Sequence, residues 1–193
     1  MNTNSTYIPI TIYIEQTPNP KTMKFVANML LVKNSFDFHS KEMAAQAPVA
    51  KYLFKLDYVS RVFIAKNYIT ITIKDDYAWE EVMMEMRDHV NHFLKTNEVL
   101  VVDREGKEDL IQTKDLASKQ IAALIEQHVK PLTLSDGGNI TFKNYNPDTK
   151  IVEVIMQGAC YNCPSIGQTL KTGVEAMLQD MLPGKVIGVK PVK

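Results

Sequence analysis

Between residues 151 and 182 the hydrophobic pattern changes period, and the change falls on the only two cysteines in the chain. Ile151-Val152-Glu153-Val154-Ile155-Met156 is β-branched and half-alternating, as in a strand with at least one buried face. Beyond the cysteines, Ile166, Leu170, Val174, Met177, Leu178 and Met181 recur at helical spacing, and Pro164 suits a first helical position, where its missing N–H would have had no partner. Gly158-Ala159-Cys160-Tyr161-Asn162-Cys163-Pro164-Ser165 is therefore a strand-to-helix junction. It places Cys163 at or near a helix N-cap, where unpaired N–H groups and the helix dipole favour a thiolate, and hence a metal ligand or nucleophile. Two thiolates separated by two residues can chelate one centre but leave a four-sulfur shell half filled. A second copy, an exogenous ligand or a recipient protein must supply the rest.

Charge and composition narrow the partners. Lysine plus arginine equals aspartate plus glutamate at 22 each, so no net field draws the chain to nucleic acid or to an acidic membrane. No apolar run approaches the roughly 18 residues that span a bilayer, and Met1-Asn2-Thr3-Asn4-Ser5-Thr6 carries no basic n-region. The expectation is a cytoplasmic protein whose cysteines stay reduced, which favours metal or redox use over a structural disulfide. At 193 residues the chain suffices for one large or two small domains.

In chain order, Ile8-Pro9-Ile10-Thr11-Ile12-Tyr13-Ile14-Glu15 alternates like an edge strand, and the turn Thr17-Pro18-Asn19-Pro20-Lys21-Thr22 leads into a second strand from Met23. Phe36-Asp37-Phe38-His39 reads as loop, and one or two helical turns follow around Pro48. Residues 61–65 and 68–74 form a hairpin about Lys66-Asn67, and Trp79, Val82, Met83, Met86, Val90 and Phe93 mark an amphipathic helix over 78–95. These elements make an open-faced α+β unit. Residues 97–114 read as a charged linker around the apolar run Val99-Leu100-Val101-Val102, which is expected to add an edge strand or to pair only transiently. A helix over 116–129, capped by Asp115 or Ser118, has a core face of Ile121, Leu124, Ile125 and His128. A hairpin about Asn146-Pro147-Asp148-Thr149, the cysteine junction, its helix and a last strand at Val186-Ile187-Gly188-Val189 complete the chain. The fold class is thus α+β, two small domains over 1–96 and 115–193, each an antiparallel or mixed sheet with helices packed on one side.

Asp136-Gly137-Gly138-Asn139, the hairpin after it, Gly158-Ala159-Cys160-Tyr161-Asn162-Cys163-Pro164-Ser165 and Leu170-Lys171-Thr172-Gly173-Val174-Glu175 resemble the C-terminal domain of NifU, the Nfu-type iron–sulfur carrier, from about Leu116 onward. Asn139 stands where that family usually has an acidic residue, and Asn162 where it usually has glycine. Neither change removes a ligand, and Asn accepts the left-handed backbone of a tight turn. Glu15 to Phe25, Pro48 to Phe54 and Val59 to Phe63 look like the N-terminal domain that accompanies many Nfu proteins, with Tyr58 in place of a usual glycine. The resemblance implies a scaffold or carrier, not an enzyme. Cys160 and Cys163 of two chains would hold one labile 4Fe–4S cluster, or alternatively 2Fe–2S, in a homodimer that passes it to apo iron–sulfur proteins after loading by upstream assembly proteins.

Other chemistries have less behind them. Thiol–disulfide exchange could use the same cysteines, but a thioredoxin-like motif follows a βαβ unit, whereas here a tight hairpin precedes it. A zinc-stabilised interaction protein would need two further ligands, and only His128 lies in that unit. Glu85, His89 and His92 share one side of the long helix, a spacing more often solvated than metal-binding. Asp136-Gly137-Gly138 could cradle an anion, though a glycine pair before a strand more often serves a turn. The methionines, Met83, Met86, Met177 and Met181 among them, fit core stripes. No catalytic triad or carboxylate pair can be assigned.

Overall fold

The computed structural model describes residues 9–96, 99–101, 115–165 and 168–192. The charged part of the linker, residues 102–114, lies outside them.

Strand β1 (Ile12–Gln16) turns through Pro18-Asn19-Pro20, where the Thr22 amide donates to the Asn19 carbonyl at 2.9 Å, and returns as antiparallel β2 (Thr22–Ala27). A short β3 (Phe36–Phe38), a 3₁₀ turn (Met43–Gln46) and α1 (Pro48–Leu53) lead to the hairpin of β4 (Val59–Ala65) and β5 (Tyr68–Ile73), followed by α2 (Trp79–Thr96). The hairpin closes where expected, with Lys66 in the left-handed region at φ 48°. The five strands form an antiparallel sheet in the order β1-β2-β5-β4-β3. One face carries Phe25, Val62, Ile64, Ile69 and Ile71 against Met86, Val90 and Phe93 of α2.

Residues 36–38, expected as loop, are the outer strand β3, paired with β4 so that Asp37 lies opposite Phe63. A buried ion pair accounts for it. The Arg61 Nε and Nη2 atoms donate to the two Asp37 carboxylate oxygens at 2.8 and 2.5 Å, and both side chains are under one-tenth exposed. Local propensity in a three-residue segment cannot reveal a partner 24 positions away. Leu100 does not add an edge strand: it is buried in this core, and its carbonyl accepts from the Val49 amide of α1 at 3.3 Å.

The second unit begins at Asp115, whose carboxylate accepts from the Ser118 amide at 2.8 Å; the Ser118 side chain and then this amide hold it below its usual pKa range. Helix α3 (Leu116–Leu124) runs through a π turn (Ile125–Val129) into α4 (Lys130–Ser135). The wider π turn delays the buried face by one residue, so Ile121, Ile125 and Val129 are core, while Leu124 is half-buried and His128, expected inside, is exposed. Strands β6 (Gly138–Asn146) and β7 (Ile151–Gly158) form the expected hairpin, with Asn146 Oδ1 capping its turn at the Asp148 and Thr149 amides. A second π turn (Thr169–Glu175) and α5 (Ala176–Met181) pack Val174 and Leu178 beneath them, whereas Met181 is exposed. The side chains of Ile166 and Leu170 lie outside the described residues. The last strand, β8 (Gly188–Val192), starts two residues later than expected and pairs parallel to β7.

The first sheet is not open-faced. All six residues of β2 are buried, as are nearly all of β4 and β5, because the second unit packs on the face opposite α2. Leu134 of α4 joins Val26, Phe63, Ala65 and Tyr68 there in a small apolar cluster.

Removing one partner of the Arg61–Asp37 pair leaves a buried charge unmatched. Asp37→Ala is expected to lower stability by about 3–5 kcal/mol, read as a reduced midpoint in urea unfolding.

Candidate functional site

Strand β7 ends at Gly158, in the left-handed region at φ 55°, and the chain folds back at once. The Ala159 amide donates to the Gly137 carbonyl at 3.2 Å, the Cys160 amide to Gln157 at 3.2 Å and the Tyr161 amide to Gly158 at 3.1 Å. Asn162 is also left-handed at φ 50°, the conformation expected of an Asn between the two cysteines. Both thiols are free and lie on this one turn.

Gly137 and Gly138 serve close packing and a turn. A Cβ on Gly138 would lie 2.6 Å from both the Cys160 amide nitrogen and its Sγ, and 2.9 Å from the Gln157 carbonyl. Gly137 has φ 82°, and a Cβ there would lie 2.9 Å from Thr70 Oγ1 of β5. Gly158 meets Gly137 O and the Phe63 ring, each 2.7 Å from where its Cβ would be. The three glycines thus hold the cysteine turn against β6 and seat it on the first sheet.

Cys160 belongs to the second unit's apolar core and is 8% exposed; Cys163 is 6% exposed. Burial pushes the Cys160 thiol up to about 12, with nearby Cys163 and Asp136 adding to the rise and the Asn139 amide opposing it. Metal-free Cys160 is therefore a neutral thiol at physiological pH. Cys163 Sγ lies 3.1 Å from Ser165 Oγ. Pro164 and Ser165 lie in a turn and Gln168 is helical, while residues 166–167, on which the expected placement of Cys163 at or near a helix N-cap turns, lie outside the described residues.

The other candidates fall away. His89 Nδ1 lies 2.8 Å from the Tyr52 hydroxyl and Nε2 3.5 Å from Glu85, a helix-surface arrangement that does not include His92. Among the described residues no group of three or more His, Cys, Asp or Glu could hold a metal ion. What motif reading missed is the contribution of the first unit. Asn19 Nδ2 donates to the Ala159 and Tyr161 carbonyls at 3.2 and 3.1 Å, on either side of Cys160, and the Arg61 guanidinium lies 3.8 Å above the Tyr161 ring. The only available signal was an Asn between two prolines, which reads as a turn.

Comparison with known proteins agrees with these features. Residues 12–97 match the model of the scaffold protein Nfu/NifU N-terminal domain, and residues 121–190 match the NifU-like domain. NifU-like protein 4, mitochondrial, of Arabidopsis thaliana is 33% identical over 172 residues, covering 86% of this chain and 61% of that protein. The NFU1 iron-sulfur cluster scaffold homolog, mitochondrial, of Drosophila sechellia is 31% identical over 176 residues, covering 89% of this chain and 62% of that protein. The chain thus spans about three fifths of the length of these relatives. The solution structure of a NifU-like protein from Saccharomyces cerevisiae aligns with 53% of this chain and 99% of its own, at 19% identity and a TM-score of 0.44.

The cytoplasmic expectation is overturned by these relatives, whose names place them in mitochondria. Arguing against export and a membrane span does not separate one reducing compartment from another. No described helix is long and apolar enough to cross a membrane.

A methyl group at position 138 has no room beside Cys160. Gly138→Ala is expected to cost about 1–3 kcal/mol, seen as a lower thermal midpoint, and to speed alkylation of Cys160 as its turn is pushed off β6. With the Nfu/NifU N-terminal domain followed by the NifU-like domain over most of its length, the chain belongs to the Nfu/NifU family of iron–sulfur cluster scaffold proteins.

Proposed function

We propose that this chain is an iron–sulfur scaffold and carrier in which Cys160 and Cys163 of two copies hold one 4Fe–4S cluster, with 2Fe–2S as the alternative cargo, and pass it to apo iron–sulfur proteins. The supporting observation is the half-filled donor set. One turn offers two soft sulfur donors, and among the described residues no His, Cys, Asp or Glu group completes a site around them. The remaining two thiolates then come from a second copy, in a two-fold arrangement where one patch meets itself.

The donors suit such a cargo. Thiolate is the usual protein ligand of iron–sulfur clusters, and a backbone N–H near Cys160, that of Asn139, can donate to its sulfur and help set cluster potential. Binding must displace the proton that burial holds on Cys160, so loading releases acid. Each chain contributes only two bonds, so a recipient with its own cysteines can replace them one at a time by ligand exchange. That chemistry needs no general acid or base, consistent with a non-enzymatic role. In this account residues 115–193 carry the cluster, 97–114 link the units, and 1–96 engage recipients or an upstream assembly protein. A thiol–disulfide exchanger fits less well, because neutral, buried Cys160 is a poor attacking group.

Anaerobic reconstitution of the full chain with ferrous iron and sulfide tests the proposal. A brown product with about two irons per chain is expected. Cys160→Ser and Cys163→Ser should each abolish colour while the far-ultraviolet circular dichroism stays unchanged, and retention of a full cluster by either variant would refute the ligand assignment.

A further inference from the structure

The sulfurs that would be shared between two chains are covered within one chain. With Cys160 8% and Cys163 6% exposed, a cluster bound also to a second copy cannot reach them unless something moves. Part of the cover is the second unit's own core, to which Cys160 belongs, and part is the first sheet, on which the turn is seated. Phe63 and Tyr68 lie under the turn, with the Phe63 ring in contact with Gly158, while Asn19 grips the carbonyls on both sides of Cys160. Lys24 adds a reach across the boundary, its ammonium donating to the Ser135 carbonyl at 3.0 Å while paired with Glu15 at 2.7 Å.

The same boundary carries features that favour release. Tyr68 Oη, Thr70 Oγ1 and Asn139 Oδ1 are buried without a hydrogen-bond partner among the described residues. Thr70 lies against Gly137, and Tyr68, whose hydroxyl burial holds above its usual pKa range, lies close enough to Cys160 that a thiolate there would raise it further. Unpaired buried polar atoms are costly, and each regains water when the units separate. The contact is therefore specific, through Asn19 and the Arg61–Tyr161 stack, without being fully satisfied.

We propose that the outer face of the β2-β5-β4 sheet is an intramolecular docking surface that holds the cysteine turn closed in the metal-free chain and must release it before a second copy can share a cluster through Cys160 and Cys163. The inference rests on the proposed dimeric cluster for its purpose but not for its test. Docking and dimerisation compete for one small surface, so a loaded dimer has a freed N-terminal sheet. That freed face, with Asn19 arranged to grip a pair of backbone carbonyls, is then available to the cysteine loop of another chain.

The test is the rate at which N-ethylmaleimide modifies the two thiols of the full, metal-free chain under argon at fixed pH. Asn19→Ala removes both grips on the turn, and Lys24→Met removes the link to Ser135; neither touches a cysteine or the helix-facing core. The wild-type thiols are expected to react far more slowly than those of the same chain unfolded in guanidinium. Each variant should speed the reaction about tenfold with unchanged circular dichroism. Wild-type thiols as reactive as the unfolded chain's, or variants no faster than wild type, would overturn the proposal. Iron and sulfide uptake by the same samples separates it from the carrier assignment. Faster thiols with no uptake support the docking surface and remove the carrier, whereas normal uptake with thiols unchanged in both variants removes the docking surface and keeps the carrier.

Discussion

The structure depends on a close approach that only glycine permits: Gly138 lies against the amide and sulfur of Cys160, with no room for a methyl group between them. That contact ties the cysteine turn to the start of β6, and Gly158 ties its other end to Gly137 and to the Phe63 ring of the first sheet. Backbone is brought to backbone at each point, so the position of the sulfurs is set by main-chain geometry more than by side-chain packing. A cysteine placed this way has a fixed sulfur before any metal arrives, which lowers the ordering cost of binding.

Burial of Cys160 and the function proposed for it pull in opposite directions. In the apolar core of its unit the thiol is neutral and shielded, which protects a metal-free carrier from oxidation, since susceptibility follows thiolate character and exposure. Sharing a cluster with a second chain requires the reverse. A boundary fastened by a few directed contacts, with several buried polar atoms unmatched, lets one chain do both. The Arg61–Asp37 pair contributes on the same face of the sheet: the carboxylate fixes the guanidinium, and the fixed guanidinium presents its flat face to Tyr161.

Much of this was legible in the sequence because it is local. The β4–β5 hairpin is written in alternation around Lys66-Asn67, α2 in a stripe from Trp79 to Phe93, and the cysteine turn in the change of period on either side of it. What sequence hid was long-range or a matter of phase. Strand β3 forms because Asp37 meets Arg61, and neither residue alone announces a strand. His128 turns outward because a π turn, with no sequence signature of its own, shifts the helix face by one position. The cover over the cysteines brings Asn19 against Ala159, 140 residues away, and no pattern within either segment encodes that meeting.

The central claim is that one chain holds half a site and two chains hold a whole one. Native mass spectrometry of anaerobically prepared protein, metal-free and then loaded, measures both parts together. The account predicts a bare monomer that becomes a dimer carrying one cluster of about four irons or, for the alternative cargo, two. A complete cluster on a single chain, or a loaded dimer with one cluster per chain, would contradict it.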